Sequence, residues 1–117
     1  MGIATVITAH QMVVIAGHGH PFADADRDIS FCGHVVAHPD RITCVADAAK
    51  DVRFAGNPFV LGEPKVRFYI GAPLVTPCGV AIGALCALDT APRHSISDRQ
   101  QQELRDLAGR VVTELLR

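Results

Sequence analysis

Tryptophan is missing from this 117-residue chain, and the other aromatics are five Phe and one Tyr, so Val, Leu, Ile and Ala must fill its core. An excess of one charge is missing too: eleven Lys+Arg stand against twelve Asp+Glu, a formal net charge of −1. That balance leaves no electrostatic footprint for nucleic acid or for an anionic membrane surface. The apolar stretches Ile3–Ile7 and Met12–Ala16 fall far short of the ~20 residues of a membrane helix. No Lys or Arg precedes Arg27, which excludes the basic start of a secretory signal. Val6 stands where a myristoylation pattern requires Ser or Thr. The chain therefore reads as cytoplasmic. Its four cysteines, Cys32, Cys44, Cys78 and Cys86, show no C-x-x-C spacing, which argues against a zinc site. In a reducing compartment they read as thiols, not as a disulfide framework.

What is present describes a globular domain. Half the residues (49%) are hydrophobic and 20% are charged, which excludes a disordered chain. The length suits one domain spanning residues 1–117, with no internal repeat or linker. Ile3–Thr8 and Met12–Ala16 read as paired strands about a turn at Ala9–Gln11. Gly17–Asp26 reads as a loop. Asp28 or Ser30 caps a short helix running to Ala37, stopped by Pro39. Ile42–Val45 is a short strand, Ala46–Ala55 a turn or two of helix, and the stretch to Pro64 irregular. Val66–Thr76 and Val80–Asp89 form a hairpin about Pro77-Cys78-Gly79, with Pro73 marking a bulge or an edge. Ser97 and Gln100 make a capping box for a last helix whose apolar residues are Leu104, Leu107, Ala108, Val111 and Leu115.

The hairpin strands are apolar on both faces. One face is expected to carry Val66, Phe68, Ile70, Ala72 and Leu74 with Val80, Ile82, Ala84, Cys86 and Leu88; the other still shows Tyr69, Ala81, Leu85 and Ala87. Such a sheet needs cover on both sides. Helices supply one cover and the segment 47–64 the other, with a cavity expected beneath that segment.

The run Asp28-Ile29-Ser30-Phe31-Cys32-Gly33-His34, then Val45-Ala46-Asp47-Ala48, Asp51-Val52-Arg53-Phe54 and Asn57-Pro58-Phe59-Val60-Leu61-Gly62-Glu63-Pro64, is distinctive. It continues with Arg67-Phe68-Tyr69-Ile70-Gly71-Ala72-Pro73-Leu74, Gly79, Ile82-Gly83-Ala84-Leu85-Cys86-Ala87-Leu88-Asp89 and Pro92-Arg93. Over residues 28–93 the chain resembles a GAF domain of the bacterial sensor type, found in sensor kinases and cyclic-di-nucleotide signalling proteins. The resemblance implies an α+β, profilin-like fold: a central antiparallel sheet with helices on one face and a loop-covered ligand pocket on the other. It also implies a non-catalytic, small-molecule-sensing role beside a kinase or cyclase output module. Two departures stand out. The family's helix before the first strand is missing, and Cys78 occupies a turn position that usually carries a carboxylate or another polar residue.

Three side-chain groups bear on function. Asp47, Asp51, Arg53 and Arg67 form either a clamp tying the covering segment to the sheet or, through Arg67, a binder of a ligand carboxylate or phosphate. Phe31, His34, Phe54, Phe68 and Tyr69 are either core or the lining of a pocket for a planar effector such as a nucleobase, a tetrapyrrole or another aromatic. Cys32 and Cys86 are either packed inertly or the thiols of a GAF-fold reductase acting on free methionine sulfoxide, although the cysteine-bearing loop of those reductases is not recognisable and neither is a bilin-attachment motif. His10, His18 and His20 read as solvated loop residues, not a metal site, and His34 has no evident partner for metal or haem.

The expected ligand site is therefore Phe31, His34, Asp47, Phe54, Arg67, Phe68 and Tyr69, with Cys32 and Cys86 as candidate thiols; no catalytic or metal-ligating residue is expected. The effector's identity stays open. Cys78 should be the most reactive thiol and Cys86 protected. A homodimer through the last helix is expected, because Val112 and Leu116 widen its apolar stripe beyond one packing surface; a domain that only dimerises is the third reading.

Overall fold

The computed structural model describes residues 2–7, 10–18, 25–26, 30–93 and 96–116. Asp28, one of the two cap candidates, and His20 of the His18–His20 pair lie outside them.

Among the described residues six strands form one antiparallel sheet in the order β3-β2-β1-β6-β5-β4. They are β1 (Gly2–Ile7), β2 (Gln11–His18), β3 (Ala25–Asp26), β4 (Thr43–Val45), β5 (Phe68–Val75) and β6 (Ala81–Asp89), with helices α1 (Phe31–Ala37), α2 (Pro58–Leu61) and α3 (Asp98–Leu115) between or after them. The stretch read as a loop from Gly17 contributes strand at both ends. β2 runs on to His18 opposite Gly2, and Ala25–Asp26 pair with Met12–Gln11.

Local chemistry accounts for the helices. Ser30 Oγ accepts the Gly33 amide at 2.9 Å and starts α1, which buries Phe31, Cys32 and Val35. Asn57 caps α2 through a 2.8 Å bond from the Phe59 amide, and Pro58 fits the first helical turn. This one-turn helix falls where the sequence suggested irregular chain, whereas 46–55 is turns and no helix. The Ser97–Gln100 capping box is formed in both directions.

The β5–β6 hairpin turns at Thr76–Val80, where Gly79 adopts φ +85°, a left-handed conformation that glycine enters without strain. Pro73 lies beyond the end of β4, whose pairing with β5 stops at Gly71, so β5 is an edge there. A register shift between Leu74 and Val75 offsets the hairpin. In consequence Tyr69 stands opposite Leu88 and Gly71 opposite Cys86. The expected grouping of Phe68 and Ile70 with Cys86 and Leu88 is therefore one residue out. Cys86 and Leu88 share a face with Tyr69, and Phe68 and Ile70 lie on the other, because a slip of one residue exchanges the faces.

Two cores follow. On one face α1 and the covering segment pack Phe31, Cys32, Val35, Phe54 and Val60 against Tyr69, Cys86 and Leu88. On the other, Ala108 and Val112 of α3 pack on Ala72 and Leu74. α1 thus stands with the covering segment and not with α3, since its apolar side chains meet the Tyr69 face. Val112 is only 6% exposed, so it belongs to the core; Leu116, at 56%, stays outside with Leu107 and Leu115. The row Leu104–Ala108–Val112 serves the sheet, and the neighbouring row Leu107–Val111–Leu115 turns toward β1 and β2.

Candidate functional site

Phe31, Phe54 and Tyr69 come together under the covering segment. The Phe31 and Phe54 rings stack at 4.4 Å, and Phe31 meets Tyr69 at 4.9 Å. The rings fill most of the space expected to be a pocket. What remains is a cavity of about 20 Å³ lined by Phe31, Cys32, Tyr69, Met12, Val66 and Leu88 among others. That is room for about one water. Outside this packing, a polar cleft of about 310 Å³ lies between α1 and the covering segment, lined by Ser30, Gly33, His34, Ala37, Arg53, Phe54 and Asn57. His34 presents its ring edge-on to Phe54 at 5.3 Å. Burial, with the Arg53 guanidinium nearby, holds the His34 imidazole below its ordinary value of 6.5.

The charged group divides by partner. Arg53 grips Asp51 with two donors, at 3.0 and 2.7 Å, and reaches the Cys44 carbonyl at 3.4 Å. These bonds hold the Asp51 carboxyl below the usual range. Arg53 also lies 5.3 Å from the centre of the Phe54 ring. Arg67 points elsewhere: its guanidinium donates to the carbonyls of Val60 and Val66, both at 3.0 Å. Asp47 accepts the Ala49 amide and closes a local turn. Arg67 ties the covering segment to the sheet through these backbone carbonyls, and among the described residues it makes no ion pair.

Phe68 does not join the other aromatics. Strand alternation places it on the far face, where Arg93 lies 5.6 Å from its ring centre.

Beneath Phe31 three polar atoms close a ring. Cys32 Sγ lies 3.2 Å from Cys86 Sγ and 3.3 Å from Tyr69 Oη, and Tyr69 Oη lies 2.9 Å from Cys86 Sγ. Cys32 and Cys86 are 1% and 2% exposed. A hydrogen bond from Cys86, helped by Thr5 and Tyr69, holds the Cys32 thiol below its ordinary value against the opposing effect of burial. Burial pushes Cys86 and Tyr69 up. Cys44 and Cys78 are exposed.

The GAF domain family model matches residues 8–115. The chain belongs to the GAF domain family. A cyclic di-GMP phosphodiesterase of Pseudomonas aeruginosa is 38% identical over 100 residues, 86% of this chain. The chain spans 17% of that protein's length. Among solved structures, the domain of a putative two-component sensor histidine kinase protein from Sinorhizobium meliloti superposes with a TM-score of 0.73 at 17% identity, covering 99% of this GAF domain and 78% of that chain. A type II free methionine-R-sulfoxide reductase from Thermoplasma acidophilum gives 0.73 at 13% identity, covering 96% and 75%. At such identities the two structures establish the shared fold alone.

In this GAF domain, sequence reading missed four contributors: Gly33, Asn57, Thr5 and Gly71. Gly33 and Asn57 line the outer cleft beside Arg53, which the sequence placed only in the charged group, and their place there depends on how α1 meets the covering segment. Thr5, fully buried in β1, stands behind Cys32. Gly71 matters through its emptiness: a β-carbon there would lie 2.6 Å from Tyr69 Oη and 2.8 Å from a Val35 methyl. The Tyr69-x-Gly71 spacing, which puts both on one strand face, was the available signal.

Proposed function

We propose that this GAF domain is a regulatory, non-catalytic sensor that binds a planar small molecule in the cleft between α1 and residues 53–57. The observation that carries this reading is the cleft itself: about 310 Å³, with the His34 imidazole and Phe54 ring beside the Arg53 guanidinium. That volume is at the small end of ligand sites and suits a nucleobase better than a tetrapyrrole. Because Asp51 already neutralises Arg53, the cleft favours a neutral or weakly anionic ring over a polyanion. The burial of Cys32 and Cys86 supports a regulatory over a reductase reading, since a substrate of amino-acid size has no path to them in this state. The output face on this reading is α3, and a second copy is the proposed occupant of the apolar groove, about 620 Å³, that Leu107, Val111 and Leu115 form with Ala4 and Ile15. A kinase, cyclase or phosphodiesterase module of a longer protein would receive the change.

The test is a thermal-shift screen with purine bases, nucleosides and aromatic carboxylates. A binder raises the unfolding temperature in proportion to its occupancy of the native state. His34→Ala should abolish that rise while the variant stays folded. A rise that persists in His34→Ala places the site elsewhere.

A further inference from the structure

We infer that Cys32 and Cys86 are a peroxide-oxidisable dithiol that closes to an intramolecular disulfide between α1 and β6. Their sulfurs stand 3.2 Å apart in the core, and an S–S bond of ~2.05 Å requires an approach of only about 1.2 Å. Nothing lies between them, and each belongs to a well-packed element, so the pair is held in place before any oxidant arrives.

The ring of contacts also selects which sulfur reacts. With all three groups protonated, each donates once and accepts once around Cys32, Cys86 and Tyr69. When Cys32 gives up its proton, the Cys86 S–H and the Tyr69 O–H can both turn toward it, at 3.2 and 3.3 Å. Cys86 has the same two neighbours, and what sets Cys32 apart is the further support of the Thr5 side chain and of its own backbone amide at the start of α1, whereas the Cys86 thiol is held up by burial. Cys32, not Cys86, also lines the small cavity, which has room for about one water. Hydrogen peroxide is uncharged and only one oxygen larger than water. It is the oxidant class that so small a space can hold, whereas a glutathione disulfide or a bulky alkylating reagent is too large for it.

The steps balance. The Cys32 thiolate attacks one peroxide oxygen; an S–O bond forms, the O–O bond breaks, and the departing hydroxide takes up the proton that Cys32 released. This leaves a sulfenic acid on Cys32. The Cys86 sulfur then attacks the Cys32 sulfur; the S–S bond forms, the S–O bond breaks, and the hydroxide leaves as water with the Cys86 proton. Two thiols lose two electrons in total, and one peroxide becomes two waters. Once urea has opened the core, a small dithiol such as dithiothreitol reverses the closure by thiol–disulfide exchange. The bond would tie the first turn of α1 to the centre of β6 and remove both S–H partners of the Tyr69 hydroxyl.

The test uses the whole chain carrying Cys44→Ser and Cys78→Ser, which removes the exposed thiols. The reduced, folded protein is treated with hydrogen peroxide and read by intact mass and by peptide mapping without reductant. The expected result is a mass lower by two hydrogens, a peptide joining Cys32 to Cys86, and recovery of the starting mass with dithiothreitol in urea. Oxygen added to Cys32 with no loss of two hydrogens would overturn the proposal. So would both thiols remaining intact in folded protein at peroxide concentrations that link them once urea has unfolded it.

Discussion

The Tyr69 phenol occupies the space that a side chain on Gly71 would fill, with its hydroxyl 2.6 Å and a ring carbon 2.9 Å from the position of the missing β-carbon. The two residues lie on one face of β5, and Gly71 stands opposite Cys86. Tyr69 therefore leans along its own strand to reach Cys86 and Cys32, and glycine is what lets it lean.

Gly71→Ala should destabilise the domain by about 1–3 kcal/mol, the usual penalty for extra volume in a filled core. Most of that penalty should vanish in a Tyr69→Ala background, because the ring is the principal obstacle. Urea unfolding of the two single variants, the double variant and the parent measures the coupling. An unchanged penalty without Tyr69 would assign the clash to Val35 alone.

Arg67→Ala should loosen the covering segment. The guanidinium holds the Val60 and Val66 carbonyls, and charge-assisted bonds of this kind contribute about 1.5–3 kcal/mol. Hydrogen exchange should speed up at residues 59–66 while α3 keeps its protection. Uniform acceleration across both would show a global loss and no local clamp.

Stability should fall as pH drops through the ordinary histidine range, in part through His34. Its folded value lies below 6.5, so the unfolded chain takes up the proton first. The contribution is complete above the ordinary value and is lost as pH falls through it toward the folded value. His34→Gln should flatten this part of a melting-temperature profile. Asp51 acts at more acidic pH, below the ordinary 3.8, since its carboxyl is also held down. A profile of His34→Gln identical to the parent near pH 6.5 would contradict the assignment.

The α3 dimer makes its own prediction. Leu107 and Leu115 are exposed, whereas Val112 is core, so Leu107→Glu with Leu115→Glu disrupts association without opening the sheet–helix packing. Sedimentation should show the parent as a dimer at high micromolar concentration and the double variant as a monomer of equal thermal stability. A monomeric parent leaves the groove for another segment of a longer protein.

Fold class could be read from sequence because periodicity and caps are local. Ser30, and Ser97 with Gln100, each act within four residues, whereas the equally local cap of Asn57 with Pro58 went unread because its helix is a single turn. The resemblance over residues 28–93 then assembled those elements into one fold. Face assignment failed where it depended on register. The shift at Leu74–Val75 brought Cys86 and Leu88 onto the Tyr69 face, and a bulge of that kind leaves no periodic trace, whereas the separation of Phe68 from Tyr69 follows from strand alternation alone. Site geometry failed for a related reason. The chemistry of His34 and Phe54 marks them in the sequence, yet whether they enclose a cavity or line an outer cleft depends on how closely Phe31 stacks on Phe54. Arg67 stands out in the sequence by its charge, whereas its donors hold backbone carbonyls, which no sequence pattern marks.

The most direct test of the sensor reading is an amide NMR titration of the 15N-labelled domain with the purine base, nucleoside or aromatic carboxylate that gives the largest thermal shift. The account predicts saturable shifts at Gly33, His34, Phe54 and Asn57, with smaller changes along α1. Shifts clustered on the α3 groove, or no saturable shift with any compound of the panel, would contradict it.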